Sequence, residues 1–162
     1  MTTRELNQDF QAPFFPAVKY LSQNVDPETS ELVCLRASAL NGCPVCTTTH
    51  RRNSRQIGFT EEKIVAVENW PEHKDEFSDK ELAVLEFTDA VTKLPEHEHS
   101  VSDELWSRLV EHYGEDGTRS ILVGINSINV FNRFGIAAQM DNTAVEGAND
   151  FDKDLSNWPA KA

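Results

Sequence analysis

The stretch NGCPVCTTTHRR places Cys43 and Cys46 three positions apart, His50 four positions after the second cysteine, and Arg51 and Arg52 directly behind it. Three chemistries fit such a pattern: a redox-active thiol pair, a metal site, or incidental packing of small side chains. The redox reading has a local physical basis. If Cys43 caps a helix that opens at Pro44, Cys46 falls in its first turn, where unpaired backbone N–H groups and the positive helix end favour a thiolate. A thiol titrating near its usual ~8.5 is only about 3% ionised at neutral pH, whereas one lowered to ~6.5 is roughly 75% ionised. Cys43 can then attack a sulfenic acid or mixed disulfide on its neighbour and release the oxidised product. The metal reading has three ligands in C-x-x-C-x-x-x-H but no second pair. A fourth would come from Glu31, from His97 and His99, or from a neighbouring subunit.

Other residues extend the candidate site. His50 shares a helix face with Cys46, and a third helix returning along the second would bring it toward Glu31, giving a carboxylate and an imidazole able to relay protons to Cys46. The competing reading of Glu31 is a first-turn glutamate held by the helix dipole. Arg51, Arg52 and Arg55 stand out in an acidic chain, either as ion-pair partners of its glutamates or as contacts for a carboxylate substrate or an acidic redox partner. Asn129, Asn132 and Arg133 sit within an apolar helix and read as a structural polar network or a subunit contact. Cys34 lies among apolar residues and reads as a buried small hydrophobe. His73 and His112, with no placed partner, read as solvated, as do His97 and His99. Trp70, Trp106 and Trp158 read as packing residues. No P-loop, dinucleotide fingerprint, H-E-x-x-H or G-x-S-x-G is present.

Helices must position these groups. Pro16 enters a short helix behind an irregular aromatic arm. Asp26 caps a helix opening at Pro27 and leaving at Gly42, with Leu32, Leu35 and Ala39 packing one side into the core. Pro44 starts the next, which runs through Gln56 to Gly58. Thr60 caps a fourth, stopped at Pro71. Ser78 and Glu81 form a capping box ahead of LAVLEFTDAVTKL. After the polar connection PEHEHSVS, Ser102 caps DELWSRLVEHY before Gly114. TRSILVGINSINVFNRFGIAAQM is apolar around much of its circumference and reads as a buried final helix. The fold class is all-α, a single domain of about six or seven helices over residues 14–138, with an N-terminal arm over 1–13 and a C-terminal extension over 139–162.

Composition narrows the function. The chain has 162 residues, enough to bury roughly 68% of its unfolded surface without a crosslink or a metal. With 27 Asp and Glu against 15 Lys and Arg, its formal charge of -12 disfavours nucleic acid and anionic membranes as partners. The start lacks the apolar core of a signal peptide, and no segment has the length of a membrane span. The expected compartment is the reducing cytoplasm, where paired cysteines mark redox or metal chemistry more often than a permanent staple. No cofactor is expected.

The segment ELVCLRASALNGCPVCTTTHRRNSRQIGFTEEKIVAVENW resembles the E-x11-C-x-x-C-x-x-x-H core of the carboxymuconolactone decarboxylase family, in particular its alkylhydroperoxidase D-like branch. SDKELAVLEFTDAVTKL and INSINVFNRF resemble its later helices. The resemblance implies an all-α fold and a thiol-dependent hydroperoxide reductase or related disulfide oxidoreductase. Cys46 would be the peroxidatic cysteine and Cys43 the resolving one, with Glu31 and His50 as proton relay. The implied partners are a hydroperoxide substrate and a dithiol or disulfide reductant, in a homo-oligomer: a trimer or hexamer, with a dimer as the smaller alternative. The branch commonly carries a histidine immediately before the second cysteine, where this chain has Val45, so its relay is shorter. Other members decarboxylate or isomerise carboxylated lactones and need no cysteine pair. In that reading Arg51 or Arg55 binds the substrate carboxylate. A nonenzymatic metal-binding helical protein is the third reading.

Overall fold

The computed structural model describes residues 11–94 and 100–140. His97, His99, Trp158 and most of the two terminal segments lie outside the described residues. Six α-helices follow in order: α1 (Phe15–Asn24), α2 (Pro27–Asn41), α3 (Pro44–Gln56), α4 (Glu61–Glu68), α5 (Asp79–Thr92) and α6 (Asp103–Ala137). No strand occurs among the described residues, and no helix there is long and apolar enough to cross a membrane.

Short polar side chains set the helix starts. The carboxylate of Asp26 accepts from the Thr29 N–H at 2.9 Å, Thr60 from Lys63 and Ser102 from Leu105. Ser78 and Glu81 close a reciprocal capping box at α5. Gly42 ends α2 in the left-handed conformation at φ 63°, which a residue without Cβ adopts freely. This single turn sends α3 back along α2, and every element of the candidate site depends on it.

The helix α2 lies at the centre, packed against α3, α4, α5 and α6. Its residues from Leu32 through Ser38 are all buried, not merely one side of it as the apolar spacing implies. Four helices enclose it, and one of the enclosed residues is a cation. Arg36 donates through Nε and Nη2 to Asp89 of α5 at 2.5 and 2.7 Å, and through Nη1 to the carbonyl of Glu68. Trp70 Nε1 and Lys93 Nζ also donate to Asp89, at 3.2 and 2.9 Å. With its donors satisfied, a charged residue can sit on the same stripe as Leu32 and Ala39, four positions after the one and three before the other.

A second departure concerns α6. The sequence pattern ends DELWSRLVEHY before Gly114 and opens the final helix at Thr118, but the helix resumes directly after Gly114. Gly114 breaks it at φ 69° and ψ 170°, leaving arms over 103–113 and 115–137. One glycine supplies the whole change of direction, so residues 115–117 are helical. The long arm presents Ile121, Gly124, Ile125, Ile128, Asn132 and Gly135 to the rest of the fold. His73 and His112 also have partners that the sequence did not place: Glu76 at 2.8 Å and Asp79 at 2.7 Å.

Candidate functional site

Cys43 is the N-cap of α3 and Pro44 its first residue, which puts Cys46 in the first turn. The two cysteines form a disulfide, with Cα atoms 5.4 Å apart, inside the span such a bond requires. Their environments differ. Cys43 has no exposed surface, whereas Cys46 is only partly buried. Val45 and Met140 pack with them in a small apolar cluster separate from the main core. The Phe131 carbonyl oxygen of α6 lies 4.0 Å from Cys46 Sγ. The turn beneath the pair is anchored, because Cys43 N–H donates to the Ser38 carbonyl at 3.1 Å. Ser38 Oγ in turn donates to Asn132 Oδ1 at 3.1 Å.

One turn beyond Cys46, on the same face of α3, stands His50. Its Nδ1 and Glu31 Oε2 on α2 are 2.9 Å apart, and the side chains are only 15% and 12% exposed. An ionised carboxylate can only accept, so Nδ1 carries the hydrogen and Nε2 is left to take or give a proton. The antiparallel course of α2 and α3 brings together these residues 19 positions apart in sequence. Among the described residues no hydrogen bond joins His50 to Cys46.

The remaining candidates lie outside this cluster. Arg51 donates through Nε and Nη2 to Glu68 at 2.5 and 2.6 Å, and Arg55 to Glu61 at 2.5 and 2.9 Å. Both guanidinium groups are about half exposed on the outer side of α3. Asn129 donates to the Thr92 hydroxyl and accepts from Asn41, while Arg133 donates to both its carbonyl and its side-chain oxygen. Asn132 is fully buried, and its Nδ2 has no hydrogen-bond partner among the described residues. Cys34 is buried, and desolvation, reinforced by nearby Glu31 and opposed by Ser30, pushes its thiol well above the usual range. That keeps it protonated and out of competition with the pair. No group of three or more His, Cys, Asp or Glu among the described residues is placed to hold a metal.

Sequence reasoning missed two contributors. Ser38 lacks any motif signal. Gly135 could have been noticed, since a glycine inside a helical pattern commonly marks a close approach. It backs directly onto both sulfurs.

Residues 8–90 match the model of the carboxymuconolactone decarboxylase family. The chain belongs to that family. Within it, the relatives point to the alkylhydroperoxidase D-like branch. The chain is similar to the crystal structure of ATU0492 from Agrobacterium tumefaciens, a protein of unknown function with the provisional description antioxidant defence protein AhpD. That match has a TM-score of 0.76 and 29% identity, and covers 86% of this chain and 97% of that one. A local match, 46% identical over 41 residues, joins this family member to the alkyl hydroperoxide reductase AhpD of Solibacter usitatus, over 25% of this chain and 23% of that protein. YdfG of Bacillus subtilis, itself uncharacterized, is 38% identical over 120 residues, covering 74% of this chain and 80% of its own.

Proposed function

We propose that the protein is a thiol-dependent hydroperoxide reductase, with Cys46 as the peroxidatic residue and Cys43 as the resolving one. The observation that carries this reading is the cysteine pair at the start of α3, one residue partly exposed and the other sealed, next to the largely buried Glu31–His50 pair. In the reaction, the Cys46 thiolate attacks the O–O bond of a hydroperoxide, becoming a sulfenic acid while the other oxygen leaves as an alcohol after taking a proton. Cys43 then attacks the Cys46 sulfur, forming the disulfide, and the displaced hydroxide leaves as water. An external dithiol reduces the pair by thiol–disulfide exchange. His50, oriented by Glu31, transfers protons through water or a small side-chain movement. Arg51 and Arg55 are each paired with a glutamate, so an acidic reductant would reach them only by exchanging with Glu68 or Glu61. A carboxylated lactone would have to displace a glutamate from either arginine. The expected compartment remains the cytoplasm.

The test begins with reduced protein. Stoichiometric hydroperoxide is expected to generate the Cys43–Cys46 disulfide, quantified by mass spectrometry, and a dithiol carrier is expected to restore both thiols over repeated cycles. One equivalent of tightly bound zinc per chain, with no reducible disulfide, would sink the reading.

His50→Ala is expected to slow peroxide reduction on the order of 10²-fold, the usual scale for a lost general acid–base group, without changing the circular dichroism spectrum. Wild-type turnover in that variant from about pH 6 to 8 would remove His50 from the mechanism. Glu31→Gln is expected to alter the pH–rate profile, and an unchanged profile returns Glu31 to a purely structural role.

We also propose assembly into a homo-oligomer through helical surfaces. Ile136 of α6 and Leu94 beyond α5 are 45% and 72% exposed, and a shallow groove of about 160 Å³ runs between Val91, Leu94, Val130 and Arg133. Light scattering after size exclusion is expected to give a trimer or hexamer. A monomer at all concentrations would refute assembly.

A further inference from the structure

We infer that Gly135 is a positioning residue of the cysteine pair, whose missing side chain leaves the room in which the two sulfurs bond and so sets the balance between disulfide and dithiol. A Cβ built on Gly135 would stand 2.8 Å from Cys43 Sγ, 3.0 Å from Val45 Cγ1 and 3.3 Å from Cys46 Sγ. The backbone does not ask for a glycine there. Gly42, Gly58 and Gly114 have positive φ and open space around them, whereas Gly135 lies in the regular part of α6, where glycine is about 1 kcal/mol worse than alanine. The position therefore carries a local cost, and the sulfurs are what lies opposite. Gly124, on the same helix, faces only the flexible end of Leu21.

A methyl group at residue 135 acts unequally on the two redox states. In the disulfide each sulfur is held by the other, and Cys43 and Val45 are buried at 0% and 7% exposure, so neither can retreat. In the dithiol the bond between the sulfurs is gone, so Cys46 can turn about χ1 toward solvent and Cys43 Sγ can move into the space it vacates. The disulfide is then penalised more than the dithiol.

This inference rests on the reading of the pair as redox-active but needs no peroxide to test. The full chain is equilibrated in glutathione buffers and its thiol content is read by alkylation and mass spectrometry. A glutathione thiolate attacks Cys46 Sγ and expels Cys43 as a thiolate, which takes a proton. A second glutathione thiolate attacks the glutathionyl sulfur, releasing Cys46 and glutathione disulfide, so two electrons enter the pair. Gly135→Ala is expected to shift the equilibrium at least tenfold toward the dithiol, about 30 mV for this couple. Gly124→Ala is expected to leave it unchanged. A Gly135→Ala shift below twofold, or equal destabilisation of oxidised and reduced forms with no shift, overturns the inference. Should Gly135→Ala fail to fold, adding Cys43→Ala removes the sulfur that the methyl meets and is expected to restore the fold; failure to restore it also overturns the inference. If the wild-type pair forms no disulfide in any buffer, the redox reading of the site falls instead.

Discussion

Replacing Cys46 with serine is expected to abolish rapid reaction with peroxide, lowering the rate of thiol oxidation by a factor on the order of 10² or more. Two features make the cysteines unequal. Cys46 occupies the first turn of α3 with His50 on its face and part of its surface open, whereas Cys43 is the cap residue and is fully enclosed. Only Cys46 combines a helix N-terminus, a neighbouring imidazole and access for a substrate. Cys43→Ser is therefore expected to react once at nearly the wild-type rate and then accumulate sulfenic acid at Cys46, because the resolving sulfur is gone. Stopped-flow thiol loss with a sulfenic-acid trap locates the first adduct. A preferential adduct at Cys43 would reverse the roles. Reaction no faster than that of an unstructured cysteine peptide would end the peroxidatic assignment and mark Val45 as a functional departure from the branch.

The second large effect concerns stability. Asp89→Ala is expected to destabilise the fold by about 3–5 kcal/mol, because it leaves the Arg36 guanidinium buried without its counter-charge. Arg36 is 6% exposed and the pair joins α2 to α5, with Trp70 and Lys93 held to the same carboxylate. The interaction also predicts a pH dependence. Burial alone would raise the Asp89 carboxyl, but the hydrogen bonds from Arg36, Lys93 and Trp70 and the charge of Arg36 outweigh it and hold the group below its usual range. A depressed carboxyl contributes stability that is fully present above its unfolded titration point, near ~4, and is lost as pH falls through the lower folded value. Asp89→Asn is therefore expected to be less stable at neutral pH and to show a shallower acid limb in urea unfolding. A cost under ~1 kcal/mol in Asp89→Ala would show that the pair does not brace the centre.

Sequence was most informative where structure is local. Asp26, Thr60, Ser78 and Ser102 each cap the helix they were assigned, since capping involves groups only two or three residues away. The approach of Glu31 to His50 was also legible, because it follows from one turn at Gly42 and two helices of known pitch. What escaped was non-local. The partner of Arg36 is Asp89, 53 positions away, and no local pattern links the two. Gly135 looks like a weak helix former until the sulfurs, some ninety positions earlier in the sequence, are found against its backbone. The start of the final helix at residue 115 and not at Thr118 escaped too, because glycine and acidic side chains mark both turns and helix starts.

The spacing of the cysteine Cα atoms has a consequence for signalling. A cap residue and the third residue of a helix are separated by the helix itself, so the 5.4 Å between Cys43 and Cys46 requires no closure of the backbone. The bond spans three positions, too short a loop to restrict the unfolded chain strongly. Gaining or losing two electrons can thus leave the outer shape unchanged. In the proposed cycle the backbone needs no rearrangement between the two states, so the direction of electron flow is set by the concentrations and potentials of the partners.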